Sequence, residues 1–409
     1  PQRHPVLDAR VGDDAHDVEN IVRRRIQLVV RAIDAIGIIP VPRQVRVEHL
    51  AARAGLDPEM FSRDMLTRAL TELWQVGFRV LDIKPQHLIV RPRPEGGFLA
   101  DARGRTAYAM VDFELLTRTP DYEERVTRLR RRSYLVRQRD RFSAGNALPE
   151  HLDRREILGV AYIHGPCEST NGQLWVVGRD PQLFDYFQPE RWRRTPSTSL
   201  SETARVCHTR TKDGIELVWK VAHLGEKPED PAAAENGYNS PFEEFAYAMR
   251  LSAAGVGTTY PRAIYMLGHD STLPGDALDP RHYEAMSGLL NDDGKPLLRR
   301  DRNYIAIWGY WNGPDEELAR DDTAGKRAFG RNGDQALADG AIDRATYDRL
   351  MAKYAALLAG AGLECACPKG THFLLTVRPD GKFARDPDGL PALRICNFEF
   401  VRPVRSAAP

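Results

Sequence analysis

This sequence predicts an α+β fold in two related units, and three observations carry the prediction. Apolar residues at helical spacing alternate with short apolar runs bounded by glycine, the patterns of amphipathic helices and short strands. Residues 77–114 return at 362–399 at a constant offset of 285 without a gap, and 12 of the 38 pairs are identical. Chance pairing at ordinary residue frequencies gives about two or three. Between the copies lie further strand-like runs, at Ile157 to Ile163, Leu174 to Val177, Glu216 to Val221 and Tyr304 to Trp311.

In chain order, Val18 to Ile36 reads as a helix, with Ile21, Val22, Ile26, Val29, Val30 and Ile33 on one face and Gly37 as its stop. A second helix runs from Asp57 to Gln75, with Asp57-Pro58 as cap and first turn. Strands follow at Phe78 to Leu81, Leu88 to Val90 and Tyr108 to Val111, then a charged helix from Asp121 to Arg141. Ile157 to Ile163, Leu174 to Val177 and Glu216 to Val221 read as strands, the last after the hairpin signal Lys212-Asp213-Gly214. Pro241 to Ala254 is helical, His269 to Arg302 reads as an insertion, and Tyr304 to Trp311 is an aromatic strand. Ala345 to Ala361 is the helix that introduces the second copy. These elements divide the chain at 1–147, 148–312 and 313–409.

Composition narrows the function classes. With 42% apolar and 28% charged residues the 409-residue chain can bury a core. The 58 Lys and Arg against 57 Asp and Glu argue against a globally basic nucleic-acid binder. Five cysteines do not make a disulfide scaffold, so a reducing, cytoplasmic setting is expected. No apolar run approaches the roughly 20 residues of a membrane span. The Arg, Ala and Asp richness is of a bacterial kind. The opening Pro1-Gln2-Arg3 carries no Met, so further residues are expected upstream.

The chemistry concentrates in the repeat. The first copy holds Asp82-Ile83-Lys84-Pro85-Gln86-His87 and, after two strands, Val111-Asp112-Phe113-Glu114. One carboxylate can accept a hydroxyl proton, the lysine can neutralise a phosphate, and the second Asp with the His can hold a divalent ion. The second copy has Cys367 for Asp82 and Asn397 for Asp112.

These residues resemble the protein-kinase-like superfamily, whose catalytic loop reads Asp-x-Lys-Pro-x-Asn, then a hairpin, then Asp-Phe-Gly. The resemblance implies Asp82 as catalytic aspartate, Lys84 on the transferred phosphate, and Asp112 and His87 as Mg²⁺ ligands. His87 stands where the family has Asn, and Glu114 where it has Gly. In the second unit, Leu217-Val218-Trp219-Lys220-Val221 resembles the strand of the nucleotide-binding lysine, with Glu243 or Glu244 as its ion-pair partner on the next helix. No glycine-rich loop precedes Lys220. The implied architecture is two kinase-like units: a first C-lobe-like unit, and a second with an N-lobe-like antiparallel sheet and a degenerate C-lobe.

Two functions follow as expectations. One is an atypical phosphotransferase using ATP and Mg²⁺ on an unspecified protein or small-molecule substrate. The other is a pseudokinase-type scaffold that binds a nucleotide or a protein partner. The first unit has the catalytic-loop residues without a visible nucleotide lysine, and the second has Lys220 without the carboxylates. An upstream lobe, a composite site and a non-catalytic protein all account for this. Elsewhere, Arg128, Arg131 and Arg132 on the charged helix offer a nucleic-acid contact, against the default of a solvated or salt-bridged face. Cys365, Cys367, His372 and Cys396 have a spacing poorly suited to zinc, and the three cysteines read as buried apolar residues.

Overall fold

The computed structural model describes residues 51, 54–111, 113, 115–143, 147–201, 205–273, 279–291, 294–310, 329–378 and 380–404. The expected helix at Val18 to Ile36 and the expected metal ligand Asp112 lie outside the described residues. Helices and strands are both abundant, as an α+β fold requires. Packing divides the chain into Pro1–Ser133 and Tyr134–Pro409.

In the first unit, α1 (Pro58–Gln75) begins where expected: the Asp57 carboxylate accepts from the N–H groups of Glu59 and Met60 at 2.9 and 3.1 Å. Gly77 stops the helix at φ +89°, and a Cβ there would lie 2.5 Å from Tyr122 Cγ. Strand β1 (Phe78–Val80) pairs with β4 (Leu116–Arg118), and β2 (Leu88–Val90) pairs with β3 (Tyr108–Met110), both antiparallel. Met65 and Ala69 of α1 pack on Leu88 and Val90 to form a small core. Helix α2 (Pro120–Arg139) follows.

The second unit is built on an eight-stranded antiparallel sheet in the order β5-β6-β7-β11-β12-β10-β9-β8. Its strands are β5 (Asp153–Ile157), β6 (Val160–Cys167), β7 (Gly172–Val177), β8 (Ser197–Ser199), β9 (Val206–Arg210), β10 (Glu216–Val221), β11 (Tyr260–Asp270) and β12 (Arg302–Gly309). The expected single strand from Ile157 to Ile163 is in fact the tip of a hairpin. Leu158 and Gly159 have φ of +50° and +75° and reverse the chain between β5 and β6. The apolar Leu158 hid a turn that usually announces itself with Asn or Asp.

Both faces of the central strands of this sheet are buried. One face puts Tyr162, Trp175, Ile264 and Trp308 against Phe242 and Phe245 of α3 (Pro241–Ala253). The other packs Ile163, Val176, Ile305 and Ile307 against Leu183, Phe184, Phe187 and Trp192. That two-sided burial explains why β11 reads as an almost continuous apolar run. Tyr283, Leu297 and Leu298, from the stretch expected as an insertion, join the first of these cores.

The repeat is structural as well as sequential. After α4 (Arg344–Gly360) come β14 (Leu363–Cys365), β15 (Phe373–Val377), β16 (Leu393–Ile395) and β17 (Val401–Pro403), each 285 positions after the start of β1, β2, β3 and β4. The backbone bonds repeat too. The Val111 N–H donates to the His87 carbonyl at 2.8 Å, and the Cys396 N–H to the His372 carbonyl at 2.9 Å. A short strand β13 (Phe329–Asn332) pairs with β15. Leu350, Tyr354, Phe373 and Phe398 share one core with Phe242, Phe245 and Trp308, so residues on both sides of position 312 pack together.

Candidate functional site

Strand β10 carries Lys220 inward, opposite Ala306 of β12 and Val206 of β9. Its side chain is buried, which for a lysine demands paired charge. Helix α3 supplies part of that charge. Ser240 and Glu243 form a reciprocal capping box: the Glu243 N–H donates to Ser240 Oγ at 3.3 Å, and the Ser240 N–H to Glu243 Oε2 at 2.7 Å. Glu243 is therefore engaged at the helix start, with His282 Nε2 3.5 Å away. Glu244, the next residue, turns into the core and is only 1% exposed. Of the two expected partners, the structure brings Glu244 to Lys220, at 3.6 Å, and assigns Glu243 to the cap.

A second carboxylate lies closer. Glu399 Oε1 is 2.8 Å from Lys220 Nζ, and Asn397 Oδ1 accepts from Nζ at 3.5 Å. The turn holding Glu399 is fixed several ways. Its N–H donates to Asn397 Oδ1 at 3.1 Å, and Asn397 Nδ2 donates to its Oε2 at 3.2 Å. Asn239, just before the α3 cap, donates through Nδ2 to the Phe398 and Val401 carbonyls at 2.7 and 2.6 Å. Its own N–H donates to the Glu399 carbonyl at 2.9 Å. Phe398 stacks on Trp308 at 5.5 Å between ring centroids.

Burial opposes charge on all three groups, with different results. For Lys220, Glu244 and Glu399 outweigh the burial, and its ammonium is held more firmly protonated than usual. Burial dominates at Glu244 and pushes its carboxyl up to about 7. At Glu399 the burial is overcome by Lys220 and then His223, whose Nε2 is 4.0 Å from Oε1, and the carboxyl is held below its usual value. The site is thus a buried ammonium with one firmly ionised carboxylate and one that takes a proton readily.

The counterparts of the expected catalytic turn differ between units. In the first, Lys84 Nζ pairs with Asp82 Oδ2 at 2.7 Å on an exposed turn, and the His87 N–H donates to the Lys84 carbonyl at 2.9 Å. In the second, the Cys367 thiol donates to Asp230 Oδ2 at 3.0 Å, and burial followed by that bond raises the thiol's pKa. His372 is buried, with Nδ1 3.6 Å from Cys365 Sγ, and burial pushes its imidazole down to about 4. Among the described residues, no three His, Cys, Asp or Glu side chains are arranged to hold a metal ion. The fit of Mg²⁺ to the expected ligands His87 and Asp112 turns on Asp112, outside those residues.

Sequence reasoning missed Glu399, Asn239 and Asp230. The identity of Glu114 and Glu399 in the repeat was a signal for the first, but its partner Lys220 is 179 positions away in sequence. No protein-family model, curated protein or solved structure matches the chain.

Proposed function

We propose that the second unit is a catalytically silent kinase-like module, a pseudokinase-type scaffold. The reading is supported by element order: a strand with a buried lysine, a helix with a paired glutamate, further strands, a helix, then a turn and hairpin ending in Asn397-Phe398-Glu399. This is the order that the kinase resemblance implies. The observation that carries the silence is the 2.8 Å pairing of Lys220 with Glu399, which places a second internal carboxylate on the ammonium that a nucleotide phosphate would use.

The chemistry of the other positions agrees. Cys367 keeps its thiol proton and donates it to Asp230, so it is no general base for a hydroxyl. Asn397 offers a neutral amide where an anionic ligand for Mg²⁺ would be needed. Such a unit can still present its surface to a protein partner. The test is turnover: the intact chain carrying Asp82→Ala, incubated with ATP and Mg²⁺, releases and transfers no phosphate above background. Turnover that survives Asp82→Ala and is abolished by Lys220→Met would replace this reading.

One observation favours a second reading, phosphoryl transfer by the first unit. Asp82 and Lys84 are paired at 2.7 Å on the turn after β1, a proton acceptor beside a phosphate-binding cation. In that reading Asp82 would accept the substrate proton, Lys84 would contact the transferred phosphate, and Asp112 with His87 would be the residues to hold Mg²⁺, which would neutralise the phosphates of ATP.

A further inference from the structure

We propose that Glu399 is an internal ligand for Lys220: its carboxylate fills the place of a phosphate group, Asn239 positions it there, and together they determine that the site refuses phosphate-bearing ligands. This rests on the kinase-like reading of the second unit and adds to it the residue that enforces the refusal.

Charge is the first argument. Lys220 and Glu244 alone make a neutral buried pair, the arrangement with the smallest desolvation penalty. Glu399 brings a second carboxylate to the same ammonium, and its charge adds to the burial that raises the Glu244 carboxyl.

Geometry is the second. Glu399 approaches Nζ at 2.8 Å, nearer than Glu244 at 3.6 Å. The contact is a charge-assisted one between an ammonium and a carboxylate, and it shifts both groups toward their charged forms. A phosphate oxygen satisfies the same demand.

Anchoring is the third. Three bonds from Asn239, to the carbonyls of Phe398, Glu399 and Val401, fix the backbone on both sides of the carboxylate. The Asn397 Nδ2 bond to Oε2 holds the carboxylate, and the Glu399 N–H bond to Asn397 Oδ1 holds the backbone beside it. An anion tethered in this way competes intramolecularly, at an effective concentration that a free ligand must overcome. Asn239 touches no ligand in this scheme and acts through Glu399 as a positioning residue.

The experiment is calorimetric titration of the intact chain with pyrophosphate and with ADP, both without Mg²⁺. The wild type gives no saturable binding. Glu399→Ala binds saturably, with a Kd at least tenfold below the weakest that the titration would register for the wild type, and the double variant with Lys220→Met loses it again. Glu399→Gln keeps the side chain's shape and removes its charge, so it serves if the alanine variant does not fold, and it gains binding in the same direction. Asn239→Ala gives a smaller gain, which a purely structural role would not produce. A folded Glu399→Ala or Glu399→Gln that binds no better than wild type overturns the inference and leaves the silent-module reading standing. Gained binding that survives Lys220→Met also overturns it. Saturable Mg²⁺-dependent ATP binding by the wild type at Lys220 instead overturns that reading.

Discussion

Glu244 and Glu399 face the same ammonium, that of Lys220, at 3.6 and 2.8 Å, and their carboxyl pKa values are displaced in opposite directions, up for Glu244 and down for Glu399. The difference follows from distance and company. Glu399 is closer to Lys220 and has His223 and Asn397 beside it, whereas burial outweighs the lysine at Glu244.

A pH dependence of stability follows. The folded pKa of Glu244 lies above its unfolded value, so between roughly pH 4.5 and 7 the folded protein holds a proton that the unfolded chain has lost. Stability from this group is fully present below that window and falls as pH rises through it. Urea denaturation of wild type and Glu244→Gln at pH 5 and pH 7 isolates the effect: wild type loses ground to the variant at the higher pH. A constant difference contradicts it.

His372 acts in the opposite sense. Its imidazole is pushed down to about 4, so between that value and roughly 6.5 the unfolded chain binds the extra proton and stability rises with pH. NMR of the imidazole carbons is expected to show a neutral ring at pH 5.5. Titration near 6.5 would contradict its burial.

Lys220→Met leaves Glu244 and Glu399 buried without their cation, and the loss expected from breaking a buried pair is about 3–5 kcal/mol. Adding Glu244→Gln and Glu399→Gln removes the stranded charges and recovers most of that loss. Chemical denaturation of the single and triple variants measures both.

Gly77→Ala is expected to destabilise the first unit by more than about 1 kcal/mol, because φ is +89° and the new Cβ would lie 2.5 Å from the Tyr122 ring carbon. At the matching Gly362, with φ +67°, the Cβ meets the end of the flexible Arg250 side chain, so Gly362→Ala loses less. Melting curves of the two variants rank them.

Much of this arrangement was legible in the sequence, and the physics explains which parts. The repeat was visible because its glycines, at 96 and 104 and at 381 and 389, all have positive φ and tolerate few replacements. Lys220 was visible from its strand, and Glu244 from the helix that follows. Which of Glu243 and Glu244 turned inward depended on Ser240 claiming Glu243 for the cap. Glu399 and Asn239 were not legible as partners, because sheet and repeat block meet only through the tertiary fold. The β5–β6 hairpin was missed because Leu158 occupies a left-handed turn position.

The most direct measurement of the central claim is calorimetric titration of the intact wild-type chain with ATP in the presence and absence of Mg²⁺. A Lys220 already held by Glu399 and Glu244 predicts no saturable heat at the second unit with or without the metal. Saturable, Mg²⁺-dependent binding abolished by Lys220→Met would contradict it.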